Sequence, residues 1–92
     1  MDEEKVTKIK ESENIKGIKF SICKMISGYL YDIIGEGSIK DLDRLKKALD
    51  IESKIIENSI FGSSLIVIDT TFDLDGAKYS MKKIIERWDE IE

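Results

Sequence analysis

The chain has 92 residues, with 15 lysines and arginines against 19 aspartates and glutamates, and its formal net charge is −4. This length predicts one domain over residues 1–92 and leaves no room for a second one. The acidic balance argues against broad electrostatic binding of nucleic acid, which needs a positive surface, although a local basic patch is compatible with it.

Histidine is absent, and Cys23 is the only cysteine. A Ser–His or Cys–His pair, an internal disulfide and a cysteine-based metal site are therefore excluded. We predict a protein that is not an enzyme, with no catalytic residues, no cofactor and no metal. Apolar runs reach only four residues and the N-terminus is acidic, so the sequence predicts neither a membrane span nor a signal peptide and favours a cytoplasmic location.

The first third of the chain predicts a long helix. Residues 1–13 are mostly charged, and Val6 to Lys10 either form an edge strand or belong to a flexible tail. Apolar residues then recur at three- and four-residue steps: Ile15, Ile18, Ile22, Met25 or Ile26, Tyr29 and Ile33. This spacing predicts a helix over about 15–34 that ends at Gly35.

The rest of the chain predicts two further helices and a hairpin. Ser38 is suited to cap a helix over about 39–49, and the stripe that begins at Ala77 predicts another over about 76–91. Between them, the β-branched run over 64–72 is a strand that needs a partner, so we predict a hairpin over about 54–72. The same isoleucines over 51–60 also allow a helix. The fold class is α+β, with a small antiparallel sheet packed by three helices.

The segment Ile33-Ile34-Gly35-Glu36-Gly37-Ser38-Ile39-Lys40 is the candidate binding site. Two glycines before a helix start leave backbone N–H groups that can meet a phosphate. The candidate nucleic-acid-binding residues are Gly35, Gly37, Ser38, Lys40, Lys46 and Lys47. The negative charges of Glu36, Asp41 and Asp43 oppose such a role, and an ordinary serine cap is the structural alternative.

Residues 31–92 resemble a type I KH domain, a module that binds single-stranded RNA. In that family a helix ends in Ile-Ile-Gly-x-x-Gly and a second helix, two strands and a closing helix follow. Here Ser38 stands where the family has its last loop glycine. The chain also resembles the degenerate KH domains of ribosome-assembly factors, which contact proteins as well as RNA. The resemblance implies a KH-like adaptor that mediates protein and RNA contacts within a larger ribonucleoprotein assembly.

Two other functions remain open from the residues alone. Residues 45–58 fit the apolar pattern of a winged helix–turn–helix that binds DNA, with a recognition helix at about 53–58. The acidic charge, an open sheet edge and the last helix suit a protein-only module that dimerises or binds a partner. A helix over 53–60 would support the winged helix, whereas an extended segment would support the KH-like arrangement.

Overall fold

The computed structural model describes residues 6–25, 28–59 and 61–91. These residues form four strands and two helices: β1 (Val6–Ile15), β2 (Ile18–Met25), β3 (Tyr31–Gly37), α1 (Ile39–Leu49), β4 (Ser64–Thr71) and α2 (Leu74–Glu90). The strands make one sheet in the order β1-β2-β3-β4, and every neighbouring pair is antiparallel. The α+β class is therefore confirmed, with both helices packed on the same face of the sheet.

The predicted helix over about 15–34 is wrong, because the described residues of this range form turns and parts of three strands. Ile18, Phe20 and Ile22 alternate on the helix-facing side of β2, where all three are fully buried. β1 and β2 meet in a two-residue turn at Lys16 and Gly17, whose φ angles of 53° and 93° have the sign that a type I′ hairpin requires.

Of the two alternatives left open for Val6 to Lys10, the edge strand is the one that forms, and it continues to Ile15. Its ladder with β2 shifts register between Lys8 and Lys10 and again between Glu11 and Asn14. β1 is thus an irregular outer strand of the sheet.

Both helices that follow a capping residue are confirmed. The Ser38 hydroxyl accepts a hydrogen bond from the Asp41 N–H at 3.1 Å, and α1 spans the predicted residues. α2 begins two residues earlier than predicted, because Asp73 is its N-cap. The predicted apolar stripe of α2 is buried, and the Trp88 indole N–H donates to the Ile15 carbonyl at 2.8 Å.

The predicted hairpin over about 54–72 is only partly formed. Its second arm exists as β4, but the main partner of β4 is β3. The first arm makes one isolated bridge, in which the N–H groups and carbonyls of Ile56 and Leu65 bond reciprocally. Residues 53–59 contain no helix, so the recognition helix of a winged helix–turn–helix is not formed there; residue 60 lies outside the described residues.

Candidate functional site

The candidate loop joins a strand to a helix, whereas the KH resemblance implies a helix on both sides. Gly35 is buried inside β3, where an added Cβ would lie 3.2 Å from side-chain methyls of Ile18 and Leu45. Gly37 is the last residue of β3 and lies against the Gly17 carbonyl. Ser38 is exposed and caps α1. Packing therefore accounts for both glycines.

The three candidate lysines do not converge. Lys40 lies in the first turn of α1 and Lys46 and Lys47 in its last turn, which a rise of 1.5 Å per residue separates by about 10 Å. The Lys46 ammonium donates to the Ser53 carbonyl at 2.6 Å, and Lys47 pairs with Asp43 at 3.0 Å. The structure thus gathers Gly37, Ser38 and Lys40 at one end of α1 and leaves the other two lysines engaged at the opposite end.

Glu36 points to the sheet face that carries no helix. Its carboxylate pairs with Lys8 at 2.6 Å and accepts a hydrogen bond from the Ser63 hydroxyl at 2.6 Å. Burial lowers the pKa of Lys8, but the hydrogen bonds to Glu36 and Glu11 together raise it by more, so the pKa of Lys8 lies above its usual value. The negative charge of Glu36 is therefore matched by Lys8 and directed away from α1.

A cleft between β1 and α2 is the more distinctive surface. α1 packs on β3 and β4, and α2 packs on β2, β3 and β4, but within the described residues neither helix packs extensively on β1. The resulting β1–α2 cleft has a volume of about 460 Å³. Its lining consists of Lys10, Lys78, Tyr79, Met81, Lys82, Ile85 and Glu86.

Lysines surround an apolar floor in this cleft. Lys10 pairs with Ile22, a core residue, so the bulge in β1 directs Lys10 to the helix-bearing face. Lys78 and Lys82 lie one turn apart along α2, beside the buried Met81. Within the described part of the chain, none of these three lysines forms an ion pair.

Sequence reasoning missed this cleft because its two sides are distant in sequence. Lys10 belongs to a strand that was only partly anticipated from the sequence. Lys78 and Lys82 were interpreted as part of the ordinary solvent-exposed face of α2. The edge-strand alternative for Val6 to Lys10 already placed Lys10 on the sheet, but only the strand order brings it beside α2.

Comparison of the chain with protein-family models, with curated proteins and with solved structures found no match. The resemblance to KH domains therefore stays a prediction. Across the described residues, no group of three or more Cys, Asp and Glu side chains is placed to hold a metal ion. None of the helices in the described ranges combines the length and the apolar character needed to cross a membrane.

Proposed function

We propose that this domain is a non-enzymatic interaction module that binds an acidic amphipathic helix of a partner protein in the β1–α2 cleft. One observation carries the proposal. In a chain of net charge −4, three lysines and a single glutamate surround an aliphatic floor next to β1, a strand on which neither helix packs extensively within the described residues. The local charge is opposite to that of the whole chain, which suits an acidic ligand.

The spacing of the layers suits a helix at this position. Packed helices lie about 8–10 Å apart, and neighbouring strands lie about 4.8 Å apart. A helix placed beside α2 would therefore lie about two strands further out, over β1. Its apolar residues would meet Met81 and Ile85, and its carboxylates would meet Lys78 and Lys82 on one side and Lys10 on the other.

The chemistry of the cleft favours protein over RNA. Single-stranded RNA is recognised mainly by stacking of bases on aromatic or guanidinium planes, together with phosphate contacts. The floor of this cleft is aliphatic, and Tyr79 is its one aromatic residue among those described. The three candidate lysines are also divided between the two ends of α1, and only Lys40 lies near the Gly35–Ser38 loop. A helix-in-groove partner therefore fits better than a nucleic-acid strand.

The test is a titration of the isotope-labelled domain with a synthetic acidic helix, followed by amide NMR. The peptide carries leucines at the i, i+3, i+4 and i+7 positions and glutamates on both flanks, and the control peptide has the same composition in scrambled order. We expect saturable shifts at Lys10 and over 78–86 that weaken as salt rises, and little response to the scrambled peptide.

Charge reversal separates this cleft from the rest of the surface. The double variant Lys78→Glu/Lys82→Glu should weaken binding at least about tenfold, or about 1.4 kcal/mol. The matched double variant Lys40→Glu/Lys47→Glu makes the same charge change on α1 and should bind as the wild type does. Equal binding of both peptides, or equal losses in both variants, would refute the proposal. Shifts at Gly37, Ser38 and Lys40 with a mixed single-stranded RNA would favour the KH-like function instead.

A further inference from the structure

The sheet face opposite the helices, here called the outer face, carries a second apolar surface. Its buried members are Cys23, Ile34 and Leu65, and Val6, Phe61 and Val67 pack against them. Ile56 and Leu65 bond reciprocally through their backbones and Phe61 packs against this surface, so the segment of residues 56–59 and 61–63 lies on the outer face. A pocket of about 410 Å³ lies between this segment and the sheet.

The size and lining of this outer-face pocket suit a small molecule. Ligand pockets in proteins measure about 300–1,000 Å³ and are mostly apolar with a few polar groups. Here the polar groups are confined to Asp32, Asn58 and Ser59, and the rest of the lining is apolar apart from the Cys23 thiol. The segment that borders the pocket belongs to this chain, so the pocket does not need a partner protein to form.

Asp32 gives the pocket a negative charge that no described cation neutralises. One of its carboxylate oxygens accepts a hydrogen bond from the Thr70 hydroxyl at 2.9 Å. Lys8, the cation next to the Phe61 end of the pocket, already pairs with Glu36 at 2.6 Å and with Glu11 at 2.9 Å. Burial raises the pKa of the Cys23 thiol to about 11, so the thiol is neutral at physiological pH.

We propose that the outer-face pocket binds a small apolar molecule that carries an ammonium group. The apolar body lies between Ile34, Phe61 and Val67, and the ammonium group pairs with the Asp32 carboxylate. This site lies on the opposite face of the sheet from the β1–α2 cleft and is independent of helix binding there.

The test compares two probes of the same shape and opposite charge, 4-phenylbutylamine and 4-phenylbutyrate, by amide NMR at neutral pH. The amine should give saturable shifts at residues that line the pocket, and its affinity should exceed that of the carboxylate at least about tenfold. Cys23 is the only thiol of the chain, and it is buried and protonated at neutral pH, so its alkylation by iodoacetamide is slow and requires opening of the outer face. We expect bound amine to slow this alkylation further.

The variant Asp32→Asn should bring the two probes to similar affinity, whereas the matched variant Asp43→Asn, on the exposed surface of α1, should keep the preference for the amine. If neither probe shifts the pocket residues, the site does not exist. If both bind the wild-type protein equally, the assignment of an ammonium ligand is wrong. The wild-type comparison decides the proposal even if the Asp32 variant does not fold.

Discussion

Gly37 offers the sharpest test of whether the glycines before α1 serve packing or ligand binding. A Cβ added at Gly37 would lie 2.6 Å from the carbonyl oxygen of Gly17, whereas ordinary contact begins at 3.4 Å. That carbonyl belongs to the β1–β2 turn, where the Gly17 N–H donates a hydrogen bond to the Asn14 Oδ1 atom at 3.0 Å. The oxygen therefore cannot move aside without a shift of the turn backbone.

The loss of folding stability in each variant depends on which atoms must move to make room for the new Cβ. Overpacking a well-ordered site costs about 1–3 kcal/mol. Because the obstructing atom of Gly37→Ala is backbone, we expect the upper part of that range, about 3 kcal/mol. For a domain of this size, that loss lowers the melting temperature by roughly 15 °C. Gly35→Ala should cost less, about 1 kcal/mol, because its nearest obstacles are side-chain methyls at 3.2 Å that can shift.

Urea unfolding followed by the fluorescence of Trp88 measures both variants, since Trp88 is the only tryptophan and is fully buried. The expected order of stability is wild type, then Gly35→Ala, then Gly37→Ala. A Gly37→Ala protein within about 0.5 kcal/mol of the wild type would refute the packing explanation, because surface changes of that size are ordinary. A stable variant that loses binding to single-stranded RNA would show that Gly37 serves the ligand.

Two further predictions concern β2. Ser21→Ala should stabilise the fold by about 1 kcal/mol in the same assay, because the Ser21 hydroxyl is buried without a hydrogen-bond partner among the described residues; a loss of stability would show that the hydroxyl has a partner. For Cys23, the folded state raises the thiol pKa from 9.0 to about 11 by burial. The stability of the wild type should therefore fall relative to Cys23→Ala as pH rises from 9 to 11, while the two pH profiles run parallel below pH 9. Parallel profiles throughout would contradict a buried neutral thiol.

Elements with local start signals were predictable from the sequence. The bounds of α1 follow from a serine cap and a stripe of buried leucines, which are encoded within a dozen residues. The start of α2 was predicted two residues too late because Asp73 and Asp75 can both cap a helix, and Asp73 is the residue that does so. β4 was recognisable from its β-branched run, but its partner was not, because β3 lies beyond the whole of α1 in the chain.

The region over 15–34 failed because two periodicities coexist in it. Ile15, Ile18 and Ile22 fit a helical step, yet Ile18 and Ile22 also fit an alternating strand with Phe20 between them. The strand pattern is hard to recognise because the positions between these apolar residues are not charged or exposed: Ser21 and Cys23 are themselves buried, on the outer face. Pairing with β1 and β3 makes residues 18–25 a strand and not a helix. The sequence of residues 18–25 does not reveal which segments will pair with it.

The route by which a partner can bind follows from how β1 ends the sheet. An open edge strand can pair with another strand, but β1 shifts register twice and carries exposed charges such as Glu11 and Glu13. These features oppose the addition of a strand at that edge. The face of β1 beside α2 has no such protection, since a bulge directs Lys10 toward an apolar floor and no helix packs extensively over it within the described residues. Because the irregular, charged edge opposes strand addition and the face beside α2 is open, the helix-docking mode that we propose fits this end of the sheet better than the addition of a strand.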